Sequence, residues 1–467
     1  VSRAVASLVV GAALAAAPAP PPAAAGEAGA LSVRREAGHG VVVLELGGTL
    51  LSAAAPGDGA GAWLLVRPPG EPDGPRRLLR LVLDPEPRLE TAATELPGWT
   101  KTLLALDLGS GVELAAGGLG RLEAWGPVGA PAPASPRPLI DHPGFDVRSL
   151  APQRLRVGVA RRIAAAEAGT LRVWEPDGTG GFAAPRSFAL PVEVRRTTTG
   201  LRLASPPVAE VTGSGGGVWV AGPEPVGRTR LRTRLFGAAA TAGAPDGTET
   251  WAALPGAEEV EQSWAVSFDG EPALVVRTQG SERLDLFEHQ RLRVLPLAAD
   301  RTRAGVAPAL AAELDSRRWF DTTIQVVDVD GDGHEDLAAF FPEGLTGGDL
   351  VVQVWRGEGG VRFERRARRT DVDDPPDSAR FVPGAGPGGR PGLLLVRRGR
   401  AEMRLLADGG RHALEREPLW TMTFDAAADA PAPEALGSAE LDGRGGPDVL
   451  LLSSDEKKGD RLTVLLP

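Results

Sequence analysis

The stretch Asp328-Val329-Asp330-Gly331-Asp332-Gly333-His334-Glu335-Asp336-Leu337 decides how this chain is read. It sets acidic side chains at positions 1, 3, 5 and 9 of a short loop, with Gly331 and Gly333 between them. Oxygen ligands at alternate positions can wrap one hard cation, because glycines let the backbone curl until successive side chains converge. Calcium is the expected ion, since it accepts six to eight oxygens at about 2.3–2.6 Å in flexible geometry. Carboxylates held this close without a cation repel one another, so a metal or raised pKa values are expected of the folded loop.

The flanks of the loop read as strands. Thr322-Thr-Ile-Gln-Val-Val327 precedes it, and Val351-Val-Gln-Val-Trp355 lies beyond it. Val41-Val-Val-Leu-Glu-Leu46 and Arg461-Leu-Thr-Val-Leu-Leu466 are similar β-branched or apolar runs bounded by Gly, Pro and Asp. An EF-hand shares Asp at 1, 3 and 5 and Gly at 6, but needs an acid at position 12, where this chain has Ala339, and flanking helices. Helical periodicity is scarce, and Ala309 to Leu314 and Ile163 to Ala168 are the best short helical candidates.

With the Asp328 loop as a template, the chain repeats. The loop recurs 56 residues on at Gly384 to Leu393, where position 6 keeps its glycine and every acid is lost. A further 56 residues reach Glu440-Leu-Asp-Gly-Arg-Gly-Gly-Pro-Asp-Val449. There Glu440, Asp442 and Asp448 keep positions 1, 3 and 9, and Arg444 replaces the acid at 5, where its guanidinium could stand in for an ion. More decayed copies lie at Val266 to Leu274, Glu210 to Trp219 and Ala105 to Leu114. Leu171-Arg-Val-Trp174 with the turn to Phe182 matches Val352-Gln-Val-Trp355 with the turn to Phe363, which places a lost loop near Val147 to Arg156. About seven units of roughly 40 to 63 residues result, each of several short strands. Such a unit cannot bury both faces of its sheet alone, and radial stacking does so while leaving short edges. The expected fold is all-β: a β-propeller of seven blades of four antiparallel strands, with six or eight as alternatives. The run Val41 to Leu46 is placed to complete the C-terminal blade.

The pattern Asp-x-Asp-Gly-Asp-Gly-x-x-Asp-Leu, followed by an apolar strand and a Gly-rich turn ending in Phe, resembles the FG-GAP/VCBS repeat. Integrin α-subunit propellers and many secreted bacterial proteins carry that repeat. The resemblance implies a loop between the first two strands of a blade, with calcium bound by Asp328, Asp330, Asp332 and Asp336 and by the carbonyl of His334. Most copies here have lost their acids, so it implies one good site and no ring of sites.

Other constellations are weak. Gly384-Ala-Gly-Pro-Gly-Gly389 matches a dinucleotide fingerprint formally, but Arg390-Pro391 follows and no helix begins to cradle a phosphate. The acids of Asp371-Val-Asp-Asp-Pro-Pro-Asp377 read as a solvated turn. His39, His142, His289, His334 and His412 are scattered without zinc-site spacing, no nucleophile elbow occurs, and tyrosine is absent. A net charge of −10 disfavours nucleic acid and anionic membranes, and the lack of cysteine removes disulfides and thiolate metal sites.

Arg3, the apolar run Ala4 to Ala17 and the Pro/Ala stretch ending at Ala23-x-Ala25 read as a secretory signal peptide over 1–25. A linker over 26–38 and a propeller over 39–467 follow. The expected protein is a secreted or periplasmic monomer, non-catalytic, without membrane insertion, that binds a protein or glycan partner and holds one structural calcium. A carbohydrate-active enzyme or lectin is the alternative, with Trp63, Trp99, Trp219, Trp251, Trp264, Trp319 and Trp420 as candidate sugar platforms, although core packing is the commoner use of such residues.

Overall fold

The computed structural model describes residues 31–466 apart from short connections, the longest being 297–307, 240–248 and 280–288, and describes side chains mostly outside 188–263. Among the described residues strand follows strand, with no α-helix and a single 3-10 turn at Pro387–Gly389. None of them forms a helix long and apolar enough to cross a membrane.

Strands β1 (Leu31–Glu36) and β2 (His39–Glu45) form a hairpin. Next come β3 (Thr49–Ala55), β4 (Ala62–Arg67), β5 (Arg76–Val82) and β6 (Arg88–Leu96), hydrogen-bonded in that order. A three-stranded sheet holds β7 (Thr100–Asp107), β8 (Val112–Pro127) and β9 (Arg137–Asp146). The short β10 (Leu155–Val157) returns to pair in parallel with β3. A second three-stranded sheet holds β11 (Ile163–Glu167), β12 (Thr170–Trp174) and β13 (Arg186–Ala189), and β14 (Val194–Thr197) pairs with β15 (Gly200–Leu203).

Four antiparallel meanders of four strands follow. The first is β16 (Val208–Val211), β17 (Gly217–Val226), β18 (Arg230–Ala239) and β19 (Glu249–Ala253). The second is β20 (Glu259–Phe268), β21 (Glu271–Gln279), β22 (His289–Pro296) and β23 (Leu310–Arg317). The third is β24 (Thr323–Val327), β25 (Asp336–Pro342), β26 (Leu350–Trp355) and β27 (Arg368–Val372). The fourth is β28 (Ser378–Val382), β29 (Gly392–Arg397), β30 (Arg400–Arg404) and β31 (Trp420–Thr423). Finally β32 (Glu434–Ala439), β33 (Asp448–Asp455) and β34 (Gly459–Leu466) join β2 and β1 in one sheet.

The chain is a β-propeller, and the alternation of its apolar strands shows why. Successive residues of a strand point to opposite faces of the sheet. In β25, Leu337, Ala339 and Phe341 enter a core shared with the preceding meander, beside Phe268, Val275 and Leu292. Ala338 and Phe340 enter the core shared with the following one, beside Phe381, Leu393 and Leu395. In β29 the intervening Leu394 and Val396 turn to the next core, with Val449 and Leu451. In β33 the intervening Leu450 and Leu452 meet Leu44, Leu64 and Val66 at the start of the chain. Runs that are apolar on both faces therefore serve two cores at once, and each fully buried Leu, Val or Phe is worth about 1.5–3 kcal/mol relative to exposure.

Closure joins the two chain ends. Gly40 to Glu45 pair antiparallel with Leu466 to Arg461, as the placement of Val41 to Leu46 anticipated. The buried Asp460 then ties this sheet to the first meander: its Oδ2 accepts the Leu50 amide at 2.7 Å, and its own amide donates to the Gly48 carbonyl at 2.8 Å.

Three expectations are corrected. Leu31–Glu36, read as linker, is a strand, because the open edge of β2 offers it a complete antiparallel register. Ile163 to Ala168 and Ala309 to Leu314, read as helical candidates, fall largely in the strands Ile163–Glu167 and Leu310–Arg317, paired to β12 and β22. Segments so short gain little from intrinsic helix propensity, and tertiary pairing decides. Of the lost loop inferred near Val147 to Arg156, 147–153 lie outside the described residues, and Leu155–Val157 is the strand β10. The match behind that inference holds nonetheless, since both Trp turns close with the same antiparallel bridge, Pro176 to Phe182 and Gly357 to Phe363. The signal peptide over 1–25 lies outside the described residues.

Candidate metal centre

The Asp328 loop connects β24 to β25, the first two strands of its meander. Its relatives occupy the same connection elsewhere, at β7–β8, β20–β21, β28–β29 and β32–β33. Gly331 and Gly333 hold φ of 77° and 89°, values that only glycine adopts freely, and so curl the chain as the sequence required.

Carboxylate oxygens of Asp328, Asp330 and Asp332 lie within 4.8 Å of one another. Asp328 stabilises the curl, its Oδ1 accepting the amides of Gly331 at 2.7 Å and Asp332 at 3.2 Å, and its Oδ2 that of Gly333 at 2.9 Å. Asp330 Oδ1 is buried and has no hydrogen-bond partner. Two guanidinium groups face the cluster. Arg356 binds Asp330 at 2.9 Å and Asp332 at 2.7 Å, and Arg368 approaches Asp330 at 3.6 Å. Burial acts upward on the Asp332 carboxyl, but the His334 amide and Arg356 outweigh it and hold the group below the usual carboxylate range.

Asp336 stands apart from this cluster. It is buried, and its oxygens accept the amides of Val329 at 2.8 Å and Gly357 at 2.7 Å. Burial, with the nearby charges of Asp330 and Asp332, pushes its pKa up to about 6 against the pull of those amides. The His334 ring turns away to Asp269, at 3.0 Å from Nδ1. Of the residues named from sequence, then, the structure brings together the side chains of Asp328, Asp330 and Asp332. Asp336 serves the backbone from just behind them. The donor set is all carboxylate oxygen, as a hard cation requires, and the unpartnered Asp330 oxygen fits a ligand role.

Sequence reasoning did not name Arg356, Arg368 or Asp269. Asp269 sits in the β20–β21 turn of the preceding meander, with φ of 49°. It accepts the amides of Glu335 and Gly360, each at 2.9 Å, while its own amide donates to the Glu335 carboxylate at 2.7 Å. The decayed copy at Val266 to Leu274 thus clamps the intact copy beside it. A contact between neighbouring units leaves no trace in the spacing of either motif, so nothing in the sequence pointed to it.

Glu440, Asp442 and Asp448 form a second acidic cluster that could hold an ion. Asp448 accepts the Leu441 and Asp442 amides at 2.8 and 3.2 Å, as Asp336 accepts its own, and burial with Asp442 and Glu440 nearby pushes its pKa up to about 7. Arg444 approaches Asp442 at 3.5 Å, the internal pairing anticipated for it, although its side chain is 59% exposed. In the Asp371 to Asp377 stretch the acids pair outward, Asp371 with Arg369 at 2.8 Å and Asp374 with Arg397 at 3.3 Å. Among the candidate sugar platforms, Trp63 and Trp420 are buried and Trp99 and Trp264 half-buried. The side chains of Trp219, Trp251 and Trp319 lie outside the described residues.

Fold and site together define a β-propeller whose blade loops gather carboxylates able to hold a metal ion. No family model matches the chain, and no curated protein matches it. Among solved structures it is similar to the WD40 domain of SCAP from fission yeast, at 9% identity over 90% of this chain and 95% of that one, with a TM-score of 0.46. The propeller assignment rests on the strand pairings and the shared cores, not on that likeness.

Proposed function

We propose that this chain is a secreted, non-catalytic β-propeller of the FG-GAP/VCBS type. It acts as a binding or scaffold module for a protein or glycan partner, with calcium held structurally by Asp328, Asp330 and Asp332. The observation that carries the reading is the position of the acidic cluster. Its loop is tied through Glu335 and His334 to Asp269 of the neighbouring meander, so an ion there stiffens a joint between sheets. The basic and apolar start of the chain supports export.

The test is thermal melting of the full chain with calcium and with a chelator. Chelation lowers the melting temperature, and Asp330→Ala removes the difference, because a ligand bound only by the folded state stabilises it by mass action. An unchanged melting temperature in chelator sinks the calcium assignment. Glycan-array and pull-down screens of the calcium-loaded chain then separate a lectin from a protein-binding module.

A further inference from the structure

At the end of β24 opposite the acidic loop lies a cavity of about 660 Å³, open to solvent. The starts of β24, β28 and β32 line it, together with the connection from β25 to β26. Ile324, Phe340, Pro342 and Leu350 make much of its wall apolar. The wall is fixed by Gln325, whose Nε2 donates to the Phe381 carbonyl and whose Oε1 accepts the Phe381 amide at 2.8 Å, locking β24 against β28.

Arg380 lines this cavity. Its Nη1 lies 3.4 Å from where a Cβ on Gly437 would stand, so the bare backbone of β32 makes room for the guanidinium. Its Nε is buried without a partner, and among the described residues its side chain has no hydrogen bond or ion pair. Burial lowers its pKa, with no carboxylate close enough to raise it. The two acids of the lining do not neutralise it: Glu434 pairs at the surface with Arg154 at 3.4 Å, and Asp377 is exposed. A partly desolvated cation without a counter-ion is costly, and an anionic ligand removes that cost.

We infer that this cavity binds an organic carboxylate carried on an apolar body, with Arg380 as its counter-ion. The planar guanidinium matches a carboxylate in bidentate geometry. One cation faced by Glu434 and Asp377 favours a monoanion over a phosphate dianion, and the apolar wall takes the rest of the ligand. The inference goes beyond the proposed function and does not depend on the metal, so it is tested with calcium and in chelator alike.

The experiment is calorimetric titration of the full chain with two acids and their neutral amides: 4-phenylbutyrate, a free small acid, and acetyl-Ala-Phe, a peptide chain end. At least one acid binds about tenfold or more tightly than its amide, as a charge-assisted pair requires, and which acid does so names the source. Arg380→Met abolishes the preference while melting no lower than the parent, since an unmatched buried charge is removed. Arg380→Lys keeps a weakened preference for the acid. Equal binding of acid and amide overturns the inference. So does a dissociation constant above about 1 mM for both acids, or an acid preference that survives in Arg380→Met.

Discussion

Arg356 holds the place of a cation's charge. Its bonds to Asp330 and Asp332 neutralise the loop, so an entering ion has to displace it. Arg356→Gln leaves Arg368 as the one guanidinium described beside Asp330, and the calcium-free variant loses up to about 1 kcal/mol. Calcium raises its melting temperature by a wider margin than that of the parent, and an equal margin in both would show that the guanidinium does not compete. Glu402 illustrates the opposite case. This 3% exposed carboxylate pairs with Arg397 at 3.1 Å, Arg400 at 2.6 Å and Arg404 at 2.9 Å. Burial acts upward on its pKa, and the three guanidiniums outweigh it, holding the group below its ordinary value of 4.5. A folded pKa below the unfolded one means that the stability it contributes is fully present above pH 4.5 and is lost as pH falls through the depressed value. Denaturant titrations between pH 6 and about 3 should show a steeper acid-side loss in the parent than in Glu402→Gln.

At the scale of the element, the turn between the first two strands is the unit that recurs. Pro56-Gly57-Asp58-Gly59 is a further copy, between β3 and β4, with Gly57 and Gly59 at φ of 86° and 74°. The sequence reading missed it because no acid remains at positions 1, 3 or 9 and only the glycine spacing survives. A Cβ on Gly57 would meet nothing, whereas one on Gly59 would stand 2.9 Å from the Gly443 Cα in the loop of the last sheet. Gly57→Ala therefore costs the left-handed backbone penalty alone, about 1–2 kcal/mol, and Gly59→Ala costs more. Urea denaturation of the two variants checks the order, and equal losses would mean that the loops do not touch. The same contrast explains what was legible. Loop glycines and apolar runs carry their conformation locally, so the strands around Asp328 and the pairing of the chain ends could be read directly. The strand identity of Ile163–Glu167 and the clamp by Asp269 are set by neighbours in space, and the sequence is silent on them. Of the site, the Asp328, Asp330 and Asp332 cluster was legible from spacing, but the burial of Asp336 onto backbone amides was not.

The whole molecule is held closed by β2 against β34. Val42 and Val464 are register partners, both buried, in a chain without cysteine. A Val42→Cys, Val464→Cys pair, once oxidised, should raise stability by up to about 5 kcal/mol, because the bridge closes almost the entire chain into one loop. Melting with and without reductant reads the effect, and no difference would argue that closure does not limit stability. The pairing also fixes an order of events in time. Glu45 meets Arg461 across 416 positions, so β2, paired on one edge by β1, keeps its other edge open until β34 has been made. The β34-facing edge of β2 and the core formed by Leu44, Leu64 and Leu450 stay incomplete until then. Contacts of such separation form slowly. A nascent chain of this kind cannot lock its ring until β34 has emerged from the ribosome.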